Sequence, residues 1–362
     1  MAGAMTPLGQ ILARRIAAQG PMSLSDYMAE CLLDPRHGYY STRDPFGAAG
    51  DFTTAPEISQ MFGEMIGLCL AQVWLDQGRP ERFVLAELGP GRGTLMADVL
   101  RSFRKLPALH HAARPVLVEA SATLKARQAQ TLASERVEWR DSIEDLPGGP
   151  LYLIANEFFD ALPIRQFQRD PSGWREVQVG LAGHRLTPGL TAPGPIAALA
   201  HRLADTKTGD IVELCPALPP IAAEAARRIR AEGGVALVID YGDWHSLGDT
   251  LQALSGHAPT DPFLAPGTAD LTAHVDFEAL AQAWAAPGIA ATAMVPQGLF
   301  LERLGITARA KSLAARLAGA PLENHVAAHR RLTHPEEMGN LFKVIGCHPA
   351  GTPIPPGLLP VT

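Results

Sequence analysis

The chain has 362 residues with 31 Lys and Arg against 37 Asp and Glu, a net charge of −6, which excludes a basic nucleic-acid-coating protein as the default class. Hydrophobic residues make up 47% and charged residues 19%, enough apolar material for a large core and too little charge for a disordered chain. The length suits about two domains, or one large domain with insertions.

Residues 1–79 read as a helical region with one long loop. Arg14 and Arg15 precede the first acid, Asp26; this fits an organellar presequence and equally the first helix of the fold. No uninterrupted apolar h-region is present, and the longest apolar run, Met65 to Leu75, is broken by Gln72 and too short for a span, so membrane insertion is not expected. The stretch from Pro35 to Thr54 is rich in aromatic, Gly and polar residues, as ligand-covering loops and surface Ω-loops both are. Thr54-Ala-Pro-Glu57 reads as a capping box with Pro in the first turn. It opens a helix that places Ile58, Met61, Phe62, Met65, Ile66, Cys69 and Val73 on one face.

From residue 80 the pattern becomes strand alternating with helix. Short apolar runs near Arg82–Glu87, Pro115–Val118, Arg136–Trp139 and Leu151–Ile154 read as strands, with an amphipathic helix after the first and a helix-like run to Leu132 after the second. Such alternation implies a parallel sheet covered on both faces. Residues 164–216 break the rhythm: Ile164–Phe167, Trp174–Val177 and Asp210–Leu214 read as short antiparallel strands of a β-rich insertion. Residues 217–362 resume the pattern with a helix over Ile221–Ala231, a strongly apolar strand Val235–Ile239, a long loop, a helix near Phe277–Trp284, and two late strands, Ile289–Val295 and Leu341–Ile345, around a helical segment.

Cys31, Cys69, Cys215 and Cys347 lie far apart with no CxxC pair, arguing against a disulfide scaffold or structural zinc site and for a reducing compartment. His325-Val-Ala-Ala-His329 has zinc-like spacing without the adjoining Glu and reads as a solvated helix face. No metal site is expected.

The most specific local signal is Glu87-Leu-Gly89-Pro-Gly91-Arg-Gly93-Thr94. Glycines after a strand let the backbone approach a ligand without Cβ contact, and the next helix aims free N–H groups there. In a nicotinamide site the third glycine would fall at Thr94, so a dinucleotide oxidoreductase fits poorly. The spacing matches the Glu/Asp-x-Gly-x-Gly-x-Gly loop of class I S-adenosylmethionine methyltransferases, with Glu87 toward the amino-acid part of that cofactor. Glu119, ending the second strand, can accept both ribose hydroxyl protons. Asp141, after the third, can bind the adenine amino group with Ser142 beside it. Both acids also read as helix caps.

Asn156-Glu-Phe-Phe-Asp160 follows the fourth strand, from which such enzymes address the methyl acceptor; Asn156 falls on the cofactor side. Acids and aromatics around a buried strand end suit a cationic acceptor, since carboxylates pair with guanidinium and ring faces accept its charge. A guanidinium is always protonated in water, so methyl transfer to it needs a group to orient the nitrogen and collect its proton. Glu157 is the first candidate and Asp160 the second, with core packing by Phe158 and Phe159 and capping by Asp160 as the structural alternatives.

Taken together, Phe52-Thr-Thr-Ala-Pro-Glu-Ile-Ser59, Glu87 to Thr94, Asn156 to Pro163, Ile239-Asp-Tyr-Gly242, Gly248-Asp-Thr-Leu-Gln252 and Asp270-Leu-Thr-Ala-His-Val-Asp-Phe277 resemble the MidA family over nearly the whole chain. The resemblance implies a seven-stranded class I (Rossmann-like) α/β core from about residues 80–163 and 217–347, with a helical N-terminal region and a β-rich insertion facing the substrate. It implies S-adenosylmethionine as cofactor and a protein arginine as acceptor, on a core subunit of respiratory complex I as one candidate. The location it implies is cytoplasmic in a bacterium and the mitochondrial matrix in a eukaryote. Within it, Thr53 and Thr54 would close over the cofactor, Glu57, Tyr39 and Tyr40 would reach the cleft, and His274 would assist acceptor binding. Asn156-Glu157 and Asp160 stand where better-known arginine methyltransferases carry a paired-glutamate loop. Another acceptor, or a cofactor-binding assembly chaperone without catalysis, are the competing functions.

Overall fold

The computed structural model describes residues 5–42 and 53–361. Its centre is a mixed sheet whose longer strands are β1 (Phe83–Leu88), β2 (Ala113–Val118), β3 (Glu138–Arg140), β4 (Leu151–Asn156), β5 (Gly234–Asp243), β6 (Ile289–Ala293) and β7 (Phe342–Pro349). They lie in the order 3-2-1-4-5-7-6; β1 to β5 pair in parallel, and β7 runs antiparallel to both β5 and β6. The sheet exceeds the expected seven strands: Val275–Asp276, Val295–Pro296 and Leu359–Pro360 add short pairings that bring it to ten.

Every residue of β1 and β4 is buried, which explains their unbroken apolar runs: a central parallel strand has helices on both faces and no solvent side. One face carries the helices Gln60–Asp76 and Thr94–Phe103, joined in a cluster with Phe62, Met65, Leu95 and Leu100. The other carries Leu218–Glu232 and Phe277–Trp284, with Ile229, Leu280 and Trp284 in its cluster. Each fully buried Leu or Phe contributes about 1.5–3 kcal/mol through loss of apolar surface. The first helix pair approaches closely because Gly63 and Gly67 face it: a Cβ at Gly63 would lie 2.5 Å from the Asp98 Cβ, and one at Gly67 2.0 Å from the Ser102 Oγ.

The helix expected to start at Thr54 is two helices, Ala55–Ile58 and Gln60–Asp76, broken at Ser59, whose extended backbone (φ −161°) and hydroxyl start the second. Thr54 makes no side-chain cap bond. The capping box fails because its partners are drawn elsewhere: the Glu57 amide donates to the Thr54 carbonyl at 2.9 Å, and Glu57 Oε1 accepts from Thr94 Oγ1 at 2.6 Å. The Ala55 amide, in the same turn, donates to Glu157 Oε1 at 2.9 Å.

Residues 165–214 form four antiparallel strands rather than three, Arg165–Asp170, Gly173–Ala182, Arg185–Leu190 and Ile211–Leu214, and Met22–Ser23 from the N-terminal region adds a fifth. Leu8, Leu12, Tyr27 and Met28 pack with Ile164, Val179 and Leu186 in one cluster. The long loop after β5 also carries structure, since Gln252–Ser255 pairs with Ala258–Thr260 and Asp270–Thr272. Its hairpin turns through Gly256 and His257, both at φ 60°, a left-handed pair suited to a two-residue hairpin that the histidine disguises in the sequence. His325 and His329 pack on the neighbouring helix instead of facing solvent: His325 Nε2 lies 3.0 Å from the Ala310 carbonyl and His329 Nε2 2.9 Å from Thr307 Oγ1.

Candidate active site

Ligand sites in open α/β sheets lie outside the carboxyl ends of the parallel strands, and here the ends of β1, β2, β3 and β4 surround a cleft of about 700 Å³. That size suits a nucleoside-sized ligand. The Gly-rich turn after β1 forms one wall. Gly89, Gly91 and Gly93 have φ of 59°, 51° and 81°, left-handed values that side chains with a Cβ disfavour. A Cβ at Gly89 would also sit 2.7 Å from Phe158 Cδ2. Gly93 then starts the helix Thr94–Phe103 in an αL conformation.

Glu119 lines the cleft at the end of β2. Its Oε1 accepts from the Ser121 amide at 2.8 Å and its Oε2 from Gln128 Nε2 at 3.1 Å, and burial pushes its carboxyl up. The following helix, Ala122–Thr131, is capped by Ser121, whose hydroxyl accepts from the Leu124 amide. Glu119 is therefore not spent on capping.

Gln128 is the residue missed in the sequence. Fully buried, it donates to the Gly91 carbonyl at 2.8 Å and to Glu119, and it accepts from Trp139 Nε1 at 2.9 Å. One amide thus ties the glycine loop to the β2 acid and to β3. Its signal was available: Leu124, Gln128 and Leu132 recur at helical spacing, a polar residue in an apolar stripe. In Gln128→Leu, unfolding by denaturant should show a loss of about 1–3 kcal/mol from the groups left unpaired, with nucleoside-ligand affinity reduced roughly tenfold. An unchanged midpoint and affinity would refute this role.

Asp141 and Ser142 lie at the outer rim of the same cleft. The Asp141 side chain is 80% exposed and pairs with Lys125 Nζ at 2.5 Å, which lowers its pKa, while Ser142 Oγ donates to Asp145. No side-chain cap bond is formed by Ser142 at the short turn that follows. The roof comes from the N-terminal region. Tyr40 and Ser41 line the cleft, and the Tyr40 carbonyl accepts from Ser121 Oγ at 3.0 Å. Tyr39 is buried beside it. Phe52 of the covering loop falls outside the described residues.

Deeper in, a small chamber is bounded by Thr54, Glu57, Glu87, Asn156 and Glu157. Gly89, Gly91 and Glu157 line both spaces. Glu87 is 3% exposed; burial pushes its carboxyl up to about 8 and the Met96 amide pulls it back only in part. Among the described residues Glu87 Oε2 and Asn156 Oδ1 are buried without a protein partner, as expected of groups kept for a ligand. These acceptor oxygens and the glycine cradle fit an amino-acid-bearing nucleoside.

Glu157 follows β4 with a left-handed φ of 50°. Its Oε1 accepts from the Ala55 amide and from Asn156 Nδ2 at 3.2 Å, and burial pushes its carboxyl up to about 7 despite those donors and the charge of Arg331. Asp160 turns away from the cleft. It is buried and held well above the usual carboxylate range by burial and by the charges of Asp240, Glu157 and Asp270. Tyr40 closes this acid cluster by donating to Asp270 at 2.9 Å. His274 lies one ring further out, edge-on to Tyr241 at 5.2 Å, with its pKa lowered by burial and Lys343. It lines neither space. Thr53, before Thr54 and half-buried, lines neither as well.

A family model describing S-adenosyl-L-methionine-dependent methyltransferases matches residues 65–295. The chain is 39% identical to the mitochondrial protein arginine methyltransferase NDUFAF7 of Mus musculus, over 93% of this chain and 83% of that protein. Against the Homo sapiens protein of the same name it is 37% identical, over 95% and 84%. It is similar in structure to a Burkholderia thailandensis protein bound to S-adenosyl-homocysteine, with TM-score 0.81, 29% identity, and coverage of 96% of this chain and 95% of that one.

Proposed function

The chain belongs to the S-adenosyl-L-methionine-dependent methyltransferase family, and from that premise we propose that it methylates a protein arginine, with Glu157 collecting the proton. S-adenosylmethionine is its cofactor. The observation that carries the reading is the place of Glu157: among the described residues it is the one acidic side chain lining both the large cleft and the small chamber, so it stands where the nucleoside and amino-acid parts of the cofactor meet, beside the sulfonium in this reading.

In this assignment Gly89, Gly91 and Gly93 give the backbone its close approach, Glu119 holds the ribose, and Asp141 with Ser142 meets the adenine at the rim. Glu87 and Asn156 address the amino-acid part, with Thr54 at the mouth of that chamber. Bound there, the cofactor supplies an electrophilic methyl group on a sulfonium. The chain's own work is to hold one guanidinium nitrogen in line and to take its proton as the N–C bond forms and the S–C bond breaks; alignment and fixed charge supply most of the acceleration. Asp160 is assigned to the electrostatic back wall of the acceptor side, and His274 to its outer margin.

The working form of Glu157 is the carboxylate. With its carboxyl pushed up to about 7, turnover should rise about tenfold per pH unit below that value and level above it; a flat profile would remove Glu157 from the role. A second outcome follows from Glu87. Near neutrality its carboxyl, at about 8, is mostly protonated, and a ligand ammonium beside it favours ionisation. Binding of S-adenosylhomocysteine at pH 7 should then release up to one proton, seen as a calorimetric enthalpy that changes with buffer and ceases to do so in Glu87→Gln.

The acceptor is a protein by analogy with the named relatives, and a complex I core subunit is the candidate the sequence resemblance implies. Among the described residues no helix is long and apolar enough to cross a membrane. The relatives are mitochondrial proteins; for this chain we place the activity in the matrix of a eukaryote or the cytoplasm of a bacterium. The direct test is methyl-labelled cofactor with arginine-bearing and arginine-free peptides: label on the first alone supports the reading.

A further inference from the structure

The Ile239-Asp-Tyr-Gly242 motif is not used by the site as described so far, yet its Asp240 is fully buried in the carboxyl-terminal part of β5, beside the loop that carries Glu157. Its Oδ2 faces three successive amides of that loop, those of Phe158 at 3.2 Å, Phe159 at 2.9 Å and Asp160 at 3.4 Å, and its Oδ1 accepts from the Tyr241 amide at 2.9 Å. Successive N–H groups converging on one anion form a nest, here filled by the chain's own carboxylate. Just before the nest stands Glu157 in its left-handed backbone conformation, which a residue with a Cβ keeps only when its surroundings fix it.

We propose that Asp240 is a positioning residue for methyl transfer: by gathering the amides of Phe158, Phe159 and Asp160 it holds Glu157 in the strained turn that aims its carboxylate between the two spaces. The inference rests on the role given to Glu157 above. Asp240 touches neither space itself, so its effect passes through the loop. Among the described residues the charged groups around Glu157 are Asp160 on its own loop, Asp240 on β5, Glu87 near the end of β1, Arg92 on the glycine turn, Glu57 on the Ala55–Ile58 helix and Arg331 on the Ala320–Thr333 helix. Of these, Asp240 alone combines a charge near Glu157 with hydrogen bonds that shape its backbone.

An asparagine at position 240 offers one acceptor where the carboxylate offers two, and turns its NH₂ toward either the loop amides or that of Tyr241. The experiment is calorimetric titration of the full chain with S-adenosylmethionine and S-adenosylhomocysteine from about pH 6 to about pH 8.5. The ligands differ by the methyl and its positive charge, so the ratio of their affinities reports the ionisation and placement of Glu157, while effects on the shared amino-acid and nucleoside parts cancel. In the wild type the ratio should rise several-fold across about pH 7. In Asp240→Asn the step should fall to less than half its height and move to lower pH, with S-adenosylhomocysteine affinity changed less than about threefold; Asp240→Glu should restore part of the step. A wild-type step in Asp240→Asn overturns the proposal. Loss of S-adenosylhomocysteine binding in both variants also overturns it, since Asp240 would then serve the fold at large. Absence of the step in the wild type itself marks a different failure, that of Glu157 facing the sulfonium.

Discussion

Replacing Gly89 with valine removes cofactor binding: the Kd for S-adenosylhomocysteine should rise by more than about 100-fold, close to 3 kcal/mol, while the far-UV circular dichroism spectrum stays that of the wild type. Two independent costs meet at this position. At φ 59° a β-branched residue is strained whatever the space around it. The new Cβ would also lie 2.7 Å from Phe158 Cδ2, pressing on the loop that carries Glu157. Since Gly89 lines both the cleft and the inner chamber, neither the turn nor the ring can yield without narrowing the site. A Kd within about threefold of wild type would show that the ligand does not approach this turn.

Glu157→Gln has the complementary result. The amide oxygen of glutamine can still accept from the Ala55 amide, as Glu157 Oε1 does at 2.9 Å, so the entry to the Ala55–Ile58 helix should persist and S-adenosylhomocysteine affinity should stay within about threefold. What is lost is the basic carboxylate. Methyl transfer should fall by about 10²–10⁴, the usual contribution of a positioned general base, at every pH where the wild type is active. The opposite pattern, normal turnover with weakened cofactor binding, would assign Glu157 to the cofactor.

The strand-and-helix core was legible because a buried parallel strand announces itself. Phe83–Leu88 and Leu151–Asn156 are apolar throughout up to an acid or amide at the carboxyl end, and Gly89 to Gly93 follows the first without interruption. Less legible was anything that depends on distant partners. The reading of Thr54–Glu57 as a capping box was locally sound, but Thr94, remote in sequence, takes the Glu57 carboxylate, and the Glu57 amide goes to the Thr54 carbonyl. The pairing of Met22–Ser23 with Gly173–Ala182 has no local signal at all, because a two-residue strand carries no period. Glu119 and Asn156 stood out as polar ends of apolar strands. Gln128 sat in an apolar stripe at helical spacing and Asp240 just after an apolar run, but the partners that give each its role lie in other segments, and spacing does not name them.

One measurement bears most directly on the whole account. Purified protein, wild type and Glu157→Gln, is incubated with methyl-labelled S-adenosylmethionine and an arginine-rich protein acceptor, and the hydrolysed acceptor is resolved into its amino acids. Label in methylarginine from the wild type, and essentially none from the variant, is the result the site predicts. Label in another amino acid, or equal label from both proteins, would contradict it.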